Sequence, residues 1–373
     1  MKRIFCLAFV LVLTLSMVGC KPAEPAQAGW YDENTISITA QQVDSIVNGE
    51  FEKPKNVILL IGDGMGPNDI ALCEQYGTEN FEFGLVLNRI PNHGLCTTHA
   101  ADNEVTDSAA AATALATGVK TNIGYLGMLP DGTHLKNISE IAREHGKKIG
   151  IVTDDEITGA TPSGFLVHNE NRKNYDDIYT SALDFAPDVY IGKADTGYHS
   201  QATKLGYTAF LPFQTIEGEI DKTKPFVAFN CGSSQLAGDE LFQCTQLALN
   251  LLDNENGFFL MVESCGTDKY GHDNVMKGKI SSVTTLDRTL AAILLFMQEN
   301  PDTLLIVTSD HETGGVQLPL EGEPVDNKLF TTSEHTGIPV RVFAVGQGSE
   351  YFAGKTVDNT DIGKYLIEVI EGK

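Results

Sequence analysis

The chain has 373 residues, 42% of them hydrophobic, and its 50 acidic against 26 basic residues give a formal net charge of −24. This is ample apolar content for a core, and length for one large domain or two ordinary ones. A surface this acidic excludes nucleic acid as a specific partner and offers an anionic membrane no electrostatic attraction; part of the excess carboxylate is available to bound cations.

The first residues read as a leader. Met1-Lys2-Arg3 is a basic start, and Ile4 to Val18 is a nearly unbroken apolar run, short for a membrane span. It ends in Met17-Val18-Gly19-Cys20, which resembles a bacterial lipoprotein box, and a polar, Pro/Ala-rich stretch follows from Lys21 to Gly29. Residues 1–19 are therefore read as a lipoprotein signal peptide, 20–50 as a tether with an N-terminal segment, and 51–373 as one domain. The alternative is an ordinary secretory signal cut near Ala26-Gln27-Ala28. Both predict export; the first predicts a lipoprotein of the bacterial cell envelope, in the periplasm or on the outer surface, that touches the membrane only through lipid on Cys20. Beyond Cys20 the mature chain keeps Cys73, Cys96, Cys231, Cys244 and Cys265. That number is odd, so at least one is free or paired outside the chain. None has CxxC spacing, so a cysteine zinc site is not expected and the residues read as small buried hydrophobes.

A short polar helix is expected between Ser37 and Gly49. Apolar, β-rich runs then follow at Asn56–Ile61, Lys148–Val152, Asp188–Ile191, Phe226–Phe229, Phe258–Val262, Thr303–Val307 and Val340–Val345. Helical patterns fall at Ser108–Thr117, Ile138–His145, Glu240–Leu252 and Val283–Gln298. Continuous apolar strands alternating with helices predict a mostly parallel central sheet buried on both faces, a three-layer α/β/α architecture.

In such sheets ligands bind beyond the C-terminal strand ends, and here those ends carry chemistry. The first strand runs into Gly62-Asp63-Gly64-Met65-Gly66, the strand at 258–262 into Glu263, and the strand at 303–307 into Thr308-Ser309-Asp310-His311. The glycine-rich turn lacks the Gly-Lys-Ser/Thr ending of a P-loop. Asp268 and His272 are spaced to share one face if helical, and His335 precedes the last strand. Mixed Asp/His ligation suits a catalytic zinc site. Ser108 follows Asp107 at the mouth of an alanine-rich helix, where unpaired N–H groups favour an anion. A serine hydroxyl needs a base or a metal for activation, and no histidine follows it closely. Each element alone has a plain reading, an N-cap or a hydrogen-bonded histidine; their joint occurrence at strand ends argues for a site.

Taken together, Gly62 to Gly66, Asp107 to Ala110, Thr117 to Thr121, Ala160-Thr161-Pro162, His168 to Arg172, Val262-Glu263, Asp268-Lys269, Asp310-His311 and Glu334 to Gly337 resemble the alkaline phosphatase family, from about Lys55 to near the C-terminus. The resemblance implies an alkaline-phosphatase-like fold that hydrolyses small-molecule phosphate monoesters of broad range through a phosphoserine at Ser108, with two Zn²⁺ and one Mg²⁺. It implies a first zinc site at Asp268, His272 and His335. A second, which also engages Ser108, is implied at Asp63, Asp310 and His311, and a magnesium site at Asp63, Thr161 and Glu263. Arg172 would grip phosphate, Asp107 would orient it, and Lys269 would lie near phosphate through water.

One position departs: the family often carries Asp or His two residues before Thr161, and here Gly159 stands there, which weakens the expected hold on magnesium. The loops between Arg172 and Glu263 and between His311 and His335 look shorter than in larger relatives, which reduces the insertions that build a homodimer. Sulfatases need a modifiable Cys/Ser before x-Pro-x-Arg, whereas Ser108 precedes Ala-Ala-Ala; Arg172 and Glu263 favour monoesters over diesters. A catalytically dead binding lipoprotein would have no need of the intact nucleophile and ligand set.

Overall fold

The computed structural model describes residues 36–76, 84–194, 196–210, 220–221, 223–229 and 240–373. The proposed leader, Cys20 and Cys231 lie outside them. In chain order the strands are β1 Asn56–Gly62, β2 Asn92–Thr97, β3 Lys148–Glu156, β4 Val189–Lys193, β5 Thr208–Phe210, β6 Phe226–Phe229, β7 Phe258–Ser264, β8 Thr303–Thr308, β9 Glu312–Thr313, β10 His335–Thr336, β11 Val340–Val345 and β12 Thr356–Asp358. The helices are α1 Ala40–Val47, α2 Pro67–Tyr76, α3 Ser108–Thr117, α4 Ile138–Glu144, α5 Ala160–Gly164, α6 Tyr175–Phe185, α7 Thr196–Lys204, α8 Glu240–Leu252, α9 Gly266–His272, α10 Met276–Glu299 and α11 Asn359–Ile370.

Ten strands form one sheet in the order β12-β2-β11-β8-β1-β7-β3-β4-β6-β5. Only β11 runs against its neighbours, β2 and β8; the other pairings are parallel. Strand β1 is buried throughout and serves both faces by alternation. Ile58 and Leu60 enter a core with α1, α8 and α10. Val57, Leu59 and Ile61 enter the opposite core with α3, α4, α6 and α11. The expected three layers are thus present, and α1 is part of the first core.

Helix α10 starts at Met276, well before the expected Val283. Its first turns are polar in sequence, but Met276, Gly278, Lys279 and Ser282 are buried, so tertiary contact rather than apolar periodicity holds them. On length and composition this helix is apolar enough to cross a membrane, yet most of that stretch is buried inside the protein. Helix α3 matches its expected bounds. Asp107 caps it by accepting from Ala110 N at 3.0 Å. Its alanines permit close packing: a Cβ added at Gly164 of α5 would lie 2.7 Å from Ala112 Cβ.

Candidate active site

Three parallel strands bring the chemistry together. Ile61 of β1 is in register with Glu263 of β7 and Thr308 of β8, so Asp63, Glu263 and the Asp310-His311 pair emerge side by side at the C-terminal edge. Gly64 makes the first turn possible. Its φ is +68°, and a Cβ there would sit 2.6 Å from Asp268 Cα, so only glycine lets this turn pack on α9. Helix α9 in turn places Asp268 and His272 on one face, as their spacing predicts.

Two groups of ligand-type atoms result. Asp63, Asp310 and His311 form one, Asp268, His311 and His335 another, the atoms of each lying within 4.8 Å of one another. His272 Nε2 adjoins the second, 3.1 Å from His335 Nε2 and 3.4 Å from Asp268 Oδ1. His311 is fully buried and stacks on His335, ring centroids 3.6 Å apart.

The histidine tautomers follow from their outer partners. His335 Nδ1 lies 2.9 Å from Thr106 O, and His272 Nδ1 2.6 Å from Ser333 O; a carbonyl accepts, so both Nδ1 atoms carry the proton. Thr313 Oγ1 donates to Asp268 Oδ1 at 2.5 Å and lies 3.2 Å from His311 Nδ1. Its only hydrogen is committed, so His311 Nδ1–H donates to it. With the three rings neutral, their Nε2 lone pairs converge on the carboxylates; burial opposes a second proton on His335, but the Asp268 carboxylate beside it outweighs that and raises its pKa. Lone pairs facing lone pairs repel, and a divalent cation between them is the arrangement that satisfies all.

The carboxylates show the same need. Asp310 Oδ1 accepts from Gly64 N at 3.1 Å and His311 N at 2.9 Å, which fixes the side chain. Its Oδ2 and Asp63 Oδ1 are buried without hydrogen-bond partners, and Thr161 Oγ1 has only an ill-directed contact with Glu263; such groups are costly unless something binds them. Burial first, then the charges of Asp310, Asp268 and Glu263, push Asp63 well above the carboxylate range. Burial and then the Asp155 charge raise Glu263 to about 8. Burial keeps the His311 imidazole neutral by lowering its pKa. This donor set fits divalent metal ions.

Ser108 is buried to 5% exposure, with Oγ 3.3 Å from His311 Nε2, at the edge of the Asp63–Asp310–His311 group. Arg172 is brought in from the loop before α6. Its Nη1 donates to Asp107 Oδ2 at 3.0 Å, while Asp107 Oδ1 holds the start of α3. One residue therefore aims both the helix N-terminus and the guanidinium. Asp63, Ser108, Thr161, Arg172, Glu263, Asp268 and Lys269 line one cavity of about 570 Å³, far larger than a phosphoryl group. His335, a member of the second ligand group, and His272, which adjoins it, are not among the residues that line that cavity. Lys269, on the cavity lining, is ion-paired with Asp155.

Sequence reasoning missed Thr313, the bridge between Asp268 and His311, which had no signal beyond proximity to His311. It also missed Asp154 and Asp155, whose signal was two carboxylates directly after an apolar strand. The described cysteines Cys73, Cys96, Cys244 and Cys265 are buried, as expected.

A family model described as alkaline phosphatase matches residues 54–192 and 230–327. Alkaline phosphatase 4 of Bacillus subtilis (strain 168) is 34% identical over 85% of this chain and 89% of its own length. The structure of alkaline phosphatase from the Antarctic bacterium TAB5 superposes with a TM-score of 0.74 at 29% identity, covering 86% of this chain and 99% of that one. A variant of that enzyme with Mg bound in its M3 site gives the same TM-score of 0.74, at 30% identity and with the same coverage, 86% and 99%.

Proposed function

The chain belongs to the alkaline phosphatase family, whose members are metal-dependent phosphomonoesterases, and from that premise we propose the roles of its residues. Ser108 is the nucleophile. Asp268, His272 and His335 hold one zinc ion; Asp63, Asp310 and His311 hold a second; Asp63, Thr161 and Glu263 hold magnesium. When bound, these cations supply positive charge that lowers the pKa of a hydroxyl or a water and neutralises phosphate. Ser108 Oγ gives up its proton to solvent and forms a bond to phosphorus as the ester P–O bond breaks; the departing oxygen takes a proton from solvent and leaves as the alcohol, and water then cleaves the Ser108 O–P bond, releasing inorganic phosphate and restoring the hydroxyl. Arg172 holds two phosphate oxygens through its planar fork, and Asp107 keeps that fork in place. Thr313 and the carbonyls of Thr106 and Ser333 hold the histidine rings so that Nε2 faces inward.

The observation that carries this reading is the convergence of three Nε2 lone pairs and orphaned carboxylate oxygens beside Ser108. Metal analysis, together with paired turnover of p-nitrophenyl phosphate and its bis-ester on metal-replete protein, tests it; diester turnover above monoester turnover would replace it with a phosphodiesterase. Export and lipid attachment at Cys20 belong to the same reading, as does a homodimer. A mature N-terminus beyond Cys20 in an aqueous fraction would remove the anchor, and a monomeric mass by light scattering would remove the dimer.

A further inference from the structure

Strand β3 ends irregularly. Its pairing with β4 shifts register between Val152 and Glu156, and such a bulge re-aims side chains. Asp154 and Asp155 consequently diverge. Asp154 Oδ1 accepts from Cys265 N at 2.6 Å, at the start of α9. Asp155 lines the same cavity as Thr161 and Glu263, its charge is felt at Glu263, and it pairs with Lys269. Its backbone N–H donates to Thr153 Oγ1 at 2.9 Å, and that hydroxyl donates to Glu263 Oε2. Asp155 is therefore tied to Glu263 through one intervening hydroxyl.

Position 159, by contrast, has no room. Gly159 N donates to Glu156 O at 2.7 Å, closing a tight turn, and a Cβ at Gly159 would lie 2.9 Å from the same carbonyl oxygen. A side chain there requires a backbone shift. The carboxylate paired with Lys269 comes from earlier in the chain.

We propose that Asp155 is the carboxylate that completes the third cation site, in place of the side chain absent at Gly159, while holding Lys269 at its border. This rests on the assignment of Asp63, Thr161 and Glu263 to that cation. Thr161 Oγ1 points to a ligand: the residue is 1% exposed, lines the cavity, and its hydroxyl has only an ill-directed contact with Glu263. Carboxylate, hydroxyl and water oxygens suit Mg²⁺, which keeps several waters and takes few protein ligands. The Lys269 ammonium competes with that cation for Asp155, so magnesium affinity and the Lys269 contact are coupled.

The test is calorimetric titration of Mg²⁺ into zinc-loaded protein. Asp155→Asn is nearly isosteric and should raise the magnesium Kd by about 10–100-fold, with zinc content and melting temperature unchanged. Glu156→Gln, an exposed neighbour on the same cavity, should leave the Kd as in the wild type. An unaltered Kd in Asp155→Asn overturns the proposal and leaves Asp155 as the partner of Lys269 alone. If Asp155→Asn also loses zinc, Lys269→Met decides: freed of its ammonium, Asp155 should bind Mg²⁺ more tightly, and an unchanged Kd overturns the proposal. Wild-type protein that takes up no magnesium beyond its zinc overturns the three-cation assignment as well, which separates that failure from failure at Asp155.

Discussion

Two buried acidic groups flank the same turn after β1, and they are satisfied in opposite ways. Asp69, on α2, meets a cation that the chain itself provides. Lys279 of α10 is fully buried, donates to Asp69 Oδ2 at 2.9 Å and also bonds Thr313 O. Gly66 N donates to the same carboxylate oxygen at 2.8 Å. Burial still raises Asp69 to about 6, against the opposing charge of Lys279. Asp63 meets Asp310, Asp268 and Glu263, with Arg172 as the opposing charge, and burial with those like charges drives it well above the carboxylate range. An internal lysine makes a structural pair on Asp69 Oδ2, while Oδ1 stays buried without a hydrogen-bond partner. Clustered carboxylates without one make a place where an external cation is worth more than any side chain could be. The difference separates framework from site without reference to any relative.

Mutations sharpen that contrast. Ser108→Ala should cut monoester turnover by at least about 10³-fold while zinc content and fold are retained. Acid-quenched protein should carry no covalent phosphate, and phosphate found on another residue would refute the nucleophile. Lys279→Met strands Asp69 as a buried unpaired charge and should cost about 3–5 kcal/mol in urea unfolding. Added zinc and magnesium should not restore it; full rescue by metal would mean that the two groups are one system. Arg172→Ala removes charged hydrogen bonds worth roughly 1.5–3 kcal/mol. Inhibition by inorganic phosphate should weaken by about 10–100-fold, with monoester turnover hurt more than diester turnover. Equal loss on both esters would assign Arg172 to the framework side.

The smallest effect is a pH slope. Asp287 of α10 is buried and accepts from Val86 N at 3.0 Å and Leu87 N at 2.9 Å. Burial raises it to about 7, above the ordinary 3.8, against those hydrogen bonds. The folded state then holds a proton that the unfolded state has lost. Stability contributed by this group is full at low pH and falls as pH rises from about 4 to about 7, by at most about 1.4 kcal/mol per pH unit. Metal-loaded Asp287→Asn should flatten that slope. A slope unchanged in the mutant would place the titration elsewhere.

Much of this was legible from residue order. The central strands declared themselves as unbroken apolar runs because a parallel sheet covered on both faces needs apolar residues at every position. Helix α3 declared itself through Asp107 and the alanines. Strand β2 was missed because Asn92-His93-Gly94-Leu95-Cys96-Thr97 is only partly buried and owes its conformation to antiparallel pairing with β11. Helices α6 and α11 were missed despite their amphipathic faces.

What the sequence by itself determined is therefore what depends on near neighbours and burial. It set the strand and helix cores, the N-cap at Asp107, the glycine-rich turn at Asp63, and the Asp268/His272 spacing that a single helix turn converts into a shared face. Tertiary structure alone decided what depends on partners distant in the chain. It gave Thr313 its single hydroxyl proton to spend on Asp268, turned three Nε2 atoms inward and buried Lys279 beside Asp69. It also bulged β3, with Asp155 lining the cavity beside Lys269. Each of these is a choice of partner across the fold, and a side chain's chemistry fixes what it can bond to, while only packing fixes which atom it meets.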